Sequence, residues 1–172
     1  MPASPLVQAL NPALWLVAPA LACAAATLAL ATPVDIFGLR LPEPVIGMVC
    51  AFAWGVIRPS ILAPLLLVLL GLFDDLLWGD RPGLWALALL AVYGFTVAAR
   101  PALISEGFWA RWAWYGGACA SGFLVAYMLA SGAGGTPVNL VALGLQIAPT
   151  LLLFWFAQRL AVRFEDADVR FR

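Results

Sequence analysis

From Ile61 to Trp78 the chain carries no charge other than two adjacent aspartates, Asp74 and Asp75, and apolar runs of similar length recur along the chain. A bilayer core demands about 20 apolar residues per helical crossing, because the backbone polar groups must be satisfied within the segment where there is no water. Hydrophobic residues make up 65% and charged residues 10% of the 172; ordinary soluble domains have about 45–50% and about 25%. A soluble fold of this length has too little interior to hide so much apolar surface. The expectation is an all-α integral membrane protein, a compact bundle of about six transmembrane helices, with no room for a separate soluble domain.

Reading apolar runs between charged or turn-rich punctuation places spans near residues 13–32, 44–57, 61–78, 84–99, 109–130 and 138–158. The first run resembles a signal sequence in its alanine content, but Met1 to Leu14 contains no Lys or Arg, and a secretory signal begins with a positive region. The first span is therefore expected to be retained. The second span, at about 14 residues or roughly 21 Å, is too short to cross alone, so its ends must be shielded by neighbours or meet a thinned bilayer. Spans two and three form a hairpin about the turn Arg58-Pro59-Ser60, where proline is suited to open the next helix.

All nine basic residues are arginine. With six spans, Arg58, Arg100, Arg111, Arg159, Arg163, Arg170 and Arg172 fall on one side, and Arg40 and Arg81 on the other. Basic residues concentrate in cytoplasmic loops, which puts both termini in the cytoplasm of a multi-pass inner-membrane protein. The segment 159–172, RLAVRFEDADVRFR, mixes charge with Leu160, Val162, Phe164, Val169 and Phe171. It reads as an amphipathic cytoplasmic tail, serving as a membrane-surface anchor, a partner contact or both. No basic patch points to nucleic acid.

Chemistry has few candidates. Histidine is absent, which removes the commonest general base and metal ligand. Cys23, Cys50 and Cys119 each lie in an apolar run and read as packing residues. No cofactor, metal cluster, phosphate loop or nucleophile–base pair is expected. Most of the eight tryptophans lie near span ends, as interfacial anchors do.

Asp74 and Asp75 are the exception. A carboxylate in hydrocarbon costs about 2.5–3.5 kcal/mol or more and usually faces a bundle interior or water. Neighbours on a helix point about 100° apart, so only one of the two is expected to face inward. Alternatively the helix ends near Phe73 and both reach the interface. Negative charge near a helix C-terminus calls for capture by an arginine, Arg81 or Arg40 being available, or by another helix's N-terminus. Downstream, Gly79 is suited to end the helix, Asp80 to cap the next, Pro82 to sit in its first turn, and Gly83 to allow close backbone approach.

Small residues four apart in the fifth span, Gly116/Ala120, Gly117/Ser121 and Ala118/Gly122, let helices approach closely in lipid, within the bundle or toward another protein. Gln146 and Pro149 in the sixth span suggest an interhelical hydrogen bond and a kink.

These residues also carry a resemblance. The strings Leu41-Pro42-Glu43-Pro44, Phe52-Ala53-Trp54, Val56-Ile57-Arg58-Pro59-Ser60, Gly71-Leu72-Phe73-Asp74-Asp75-Leu76-Leu77-Trp78-Gly79 and Gly83-Leu84-Trp85-Ala86-Leu87 resemble the rod shape-determining protein MreD family in its alphaproteobacterial form. The resemblance covers about Trp15 to Arg172, and its most diagnostic piece, G-L-x-x-D-L-L-x-G-x-x-x-G-L, fits without a gap from Gly71 to Leu84. Asp75, Gly79 and Gly83 fall on pattern positions and Asp74 on a variable one; Pro82 sits directly before Gly83, where the family's proline need not be.

The resemblance implies a noncatalytic scaffold of the cell-elongation complex, needed for rod shape and lateral peptidoglycan synthesis. It would associate with the bitopic protein MreC and, through it, link MreB to the peptidoglycan polymerase and transpeptidase. It also implies a fold similar to the substrate-binding components of energy-coupling-factor transporters. That makes a small-molecule-binding transporter component the alternative. A membrane enzyme working through Asp74 or Asp75 ranks last, for want of a base or nucleophile.

Overall fold

In the computed structural model the described residues are 12–30, 35–36, 39–40, 44–57, 59–79, 81–103, 106–132, 140–155 and 158–159. Arg58, Asp80 and the tail beyond Arg159 lie outside them. The order is α1 (Pro12–Leu30), β1 (Asp35–Ile36), β2 (Leu39–Arg40), α2 (Gly47–Ile57), α3 (Leu62–Trp78), α4 (Leu84–Leu103), α5 (Phe108–Gly132) and α6 (Leu140–Leu152). The fold is helical. Its only other regular feature among the described residues is a minimal antiparallel pairing of Asp35 with Arg40 and Ile36 with Leu39. α4 continues to Leu103, past the expected end at Ala99, and carries Pro101 within its last turn.

Two helices, α4 and α5, are long and apolar enough to cross a membrane by length and composition. Large apolar side chains also stand exposed on several helices. On α3, Leu62, Leu65, Leu69, Leu72 and Leu76 are all exposed, and α1 and α5 expose Leu21, Leu28, Leu124 and Met128. Apolar patches of this extent belong against lipid or protein.

The short helix α2 is the buried axis: every residue from Gly47 to Val56 is buried. Its neighbours shield its ends. At the C-terminus the Arg100 guanidinium, reaching from α4, donates through Nε to the Val56 carbonyl and through Nη2 to the Ile57 carbonyl, both at 3.1 Å. A cation there satisfies orphan carbonyls and complements the helix dipole. Arg100→Gln is expected to lower stability by about 1–2 kcal/mol. Arg100→Lys should recover only part of that, since an ammonium lacks the planar fork; unfolding midpoints in mild detergent check both.

α4 packs against α2, α3 and α5, and glycines set how closely. A Cβ on Gly55 of α2 would lie 2.8 Å from Thr96, and one on Gly122 of α5 2.6 Å from Val92. Thr96, fully buried, turns its hydroxyl onto the Val92 carbonyl of its own helix (2.7 Å). The start of α3 is organised by Ser60 rather than by the proline: Pro59 is exposed, while Ser60 Oγ accepts the Ala63 N–H (3.2 Å) and the Ser60 carbonyl accepts the Tyr93 hydroxyl (3.4 Å). α6 is docked through Thr150, whose Oγ1 accepts the Val45 N–H (3.3 Å) and donates to the Gln146 carbonyl (2.8 Å). The Thr150 carbonyl accepts the Tyr115 hydroxyl (3.0 Å). Thr150 thus joins α6 both to the start of α2 and to α5.

The cysteines are free and buried, with Cys23 Sγ of α1 against Cys50 Sγ of α2 at 2.7 Å. Two tryptophans depart from the interfacial expectation. Trp54 and Trp85 are core residues, whereas Trp109, Trp112 and Trp155 are exposed.

Candidate functional site

The aspartate pair sits in the final turns of α3, which continues through both residues to Trp78 instead of ending near Phe73. Both side chains are buried, Asp74 at 1% and Asp75 at 3% exposure, so the expectation that only one faces inward is overturned. The reason lies in packing. α3 packs against α4 and also against α1 and α2, so directions 100° apart can both lead into protein, Asp75 toward α4 and Asp74 toward α2.

Asp75 closes the turn to α4. The Gly83 N–H donates to its Oδ2 at 2.7 Å and the Trp85 N–H to its Oδ1 at 2.8 Å. These N–H groups belong to the start of α4, where the first amides have no intrahelical acceptor and the dipole is positive. Thus the acid near one helix's C-terminus caps the N-terminus of the next, which is the second of the two captures anticipated; Arg81 is exposed instead. Asp75 thus caps α4, while Asp80, the cap expected from the sequence, lies outside the described residues. Trp85, whose N–H meets the carboxylate, stacks its ring edge-on against Trp78 (5.4 Å between centroids) and Phe123 (6.2 Å).

Asp74 turns the other way. Its Oδ2 lies 3.6 Å from where a Cβ on Gly47, the first residue of α2, would stand. Its Oδ1 is buried with no hydrogen-bond partner. Each acid of the pair therefore faces the start of a different helix, Asp75 through hydrogen bonds and Asp74 with its Oδ2 close to Gly47.

The backbone of the turn depends on two glycines. Gly79 ends α3 in the left-handed region (φ 68°), with its N–H on the Asp75 carbonyl. Gly83 adopts φ 95°. A Cβ at either position would meet nothing within 4 Å, so Gly83 is there for its dihedral angle and not, as expected, for close approach. Pro82 is an exposed turn residue just ahead of α4. Gly79→Ala and Gly83→Ala are each expected to lower stability by about 1 kcal/mol, with Gly79→Asn milder because asparagine tolerates the left-handed region. Thermal unfolding of the three variants tests this.

Close approach falls to Gly71 instead. A Cβ there would stand 2.3 Å from both Cα and N of Ala86 and 2.7 Å from the Trp85 carbonyl carbon. The backbones of α3 and α4 touch at this point, one turn before Asp75. Spacing does not mark Gly71 as a packing site; the signal that could have found it is a lone glycine in a leucine-rich run.

The small residues of α5 divide between two faces. Ala118 and Gly122 are buried, Gly122 against Ala88 and Val92 of α4, whereas Ala120 is exposed. Gly116 and Gly117 are half-buried beside Leu151 and Phe95, and Ser121 Oγ donates to the Ala118 carbonyl (2.7 Å). The α3–α4 turn brings Asp74, Asp75, Gly79, Pro82 and Gly83 together, while Pro59 and the α5 residues stand elsewhere in the bundle. No known protein family, curated protein or solved structure matches this chain.

Proposed function

We propose that the chain is a noncatalytic membrane scaffold of the MreD type, a six-span inner-membrane bundle with both termini in the cytoplasm. In this reading it associates with an MreC-like bitopic protein and, through it, with MreB and the peptidoglycan polymerase and transpeptidase. The supporting observation is how the segment Gly71 to Leu84 folds. The patterned glycines and the aspartate each have a physical role, with Gly71 at the helix crossing, Asp75 as the cap of α4, and Gly79 and Gly83 at positive φ. A motif whose residues build a rigid turn, with a leucine face exposed beside it on α3, suits a protein that positions others rather than one that transforms a substrate.

The test is deletion and complementation in the native cell, with copurification in mild detergent. Loss of rod shape on deletion, and recovery of an MreC-like protein with the tagged chain, are the expected results. Intact rod shape and no such partner would refute the reading. One observation favours the transporter-component alternative, the unpartnered buried oxygen of Asp74. A tightly bound vitamin found by mass spectrometry in the purified protein would promote it.

A further inference from the structure

Two thiols meet where α1 packs on α2. Cys23 Sγ and Cys50 Sγ lie 2.7 Å apart, and the Pro19 carbonyl, one turn before Cys23, is 3.8 Å from the Cys50 sulfur. The two side chains therefore point end to end across the helix contact. Even carbon atoms, smaller than sulfur, settle at about 3.5–4.0 Å when they are not bonded, whereas a sulfur–sulfur bond is about 2.05 Å. Packing alone does not account for so close a pair. A metal ion does not fit between the sulfurs either, because tetrahedral thiolate–metal bonds of about 2.3 Å hold them roughly 3.8 Å apart. Nor does a third His, Cys, Asp or Glu complete a ligand set among the described residues.

We propose that Cys23 and Cys50 are joined by a disulfide that staples α1 to the buried helix α2. The bond forms from the outer face of the membrane, a placement that rests on the proposed orientation with both termini in the cytoplasm. In that orientation Cys50 lies one turn inside the outer end of α2, which begins at Gly47, and Cys23 two turns inside that of α1, which ends at Leu30. The compartment beyond the inner membrane is oxidising, the setting in which disulfides form and persist. The oxidant is a protein or small-molecule disulfide of that compartment. One cysteine thiolate attacks it, expelling one of its sulfurs as a thiolate and leaving a mixed disulfide. The second cysteine thiolate attacks the cysteine sulfur of that bond and expels the other. The two protons given up by the cysteines end on the oxidant, which leaves as its thiols. In the finished bundle the pair is closed off, Cys23 at 8% and Cys50 at 1% exposure. The step therefore belongs to assembly. α1 and α2 are made first, so an oxidant reaches their contact before α4 and α5 pack over α2. The later burial then shields the bond from reductants.

The test uses the full-length protein in its native membrane. Cells are quenched in acid, the protein is unfolded in sodium dodecyl sulfate, and free thiols are alkylated. Of the three cysteines, only Cys119 should be labelled in wild type, and prior reduction should raise Cys23 and Cys50 from near zero to the level of Cys119. The intact mass before reduction should fall short of the reduced mass by two hydrogens. Cys23→Ser should free Cys50 for labelling. The wild-type measurement stands by itself if that variant fails to fold. Equal labelling of all three cysteines in unreduced wild type overturns the disulfide. Arg81→Cys, treated in intact cells with a membrane-impermeant maleimide, reports the orientation separately. Labelling there together with an oxidised pair supports the proposal. Labelling with a free pair refutes the bond and leaves the orientation standing, whereas an oxidised pair without labelling refutes the orientation and oxidation from the outer face.

Discussion

Asp75→Ala should lower the stability of the bundle by about 3 kcal/mol, the largest effect expected of any polar substitution in the chain. Both carboxylate oxygens accept backbone N–H groups at 2.7 and 2.8 Å, in a position 3% exposed. Truncation leaves two donors at the start of α4 without an acceptor, and each such buried orphan costs about 1–3 kcal/mol. Asp75→Asn should lose about half as much, since its amide keeps one acceptor and turns an NH2 toward the other donor. Asp74→Ala is expected to differ in kind. The carboxylate it removes is buried with its Oδ1 unpartnered, so the relieved desolvation offsets the small cavity and stability changes by less than about 1 kcal/mol. Unfolding in dodecyl maltoside titrated with sodium dodecyl sulfate measures all three. A loss for Asp74→Ala as large as that for Asp75→Ala would mean that Asp74 has an essential donor after all.

The difference between the two aspartates also shows what the sequence could reveal. Apolar runs long enough for helices, the turn after Trp78 and the need to neutralise an acid near the end of α3 follow from local chemistry: charge in hydrocarbon is costly, glycine ends helices, and helix N-termini attract carboxylates. Asp75 and Gly79 were legible on those grounds. That Asp74 is also buried depends on α3 packing against α1 and α2 as well as α4, a property of the assembled bundle. The same holds for Thr150, which reaches back to Val45, and for Arg100, which reaches the end of α2. These contacts link residues far apart in the chain, and spacing in one segment carries no trace of them. The fifth span shows a milder version. Its repeated small residues announced a close contact, but only the packing of α4 singles out Gly122, while Ala120 is left outside.

Gly71→Ala should be nearly as damaging as the loss of Asp75, by about 2–3 kcal/mol, although it adds only a methyl group and improves helix propensity. The added Cβ would lie 2.3 Å from the Ala86 backbone, and backbone, unlike a side-chain tip, cannot rotate aside. α4 must move away from α3. Gly116→Ala is the control: its Cβ would meet Leu151 Cδ2 at 3.7 Å, an ordinary contact, so propensity should make it neutral or slightly stabilising. Displacement of α4 by Gly71→Ala also draws Gly83 and Trp85 away from the Asp75 carboxylate, because crossing and cap lie one turn apart on the same pair of helices. The two substitutions are therefore expected to be non-additive. In the Gly71→Ala background, Asp75→Ala should cost less than in wild type, by a coupling of about 1 kcal/mol or more. Strict additivity in the double-mutant cycle would mean that α3 and α4 accommodate the methyl group without disturbing the cap, and that the turn is rigid independently of the crossing beneath it.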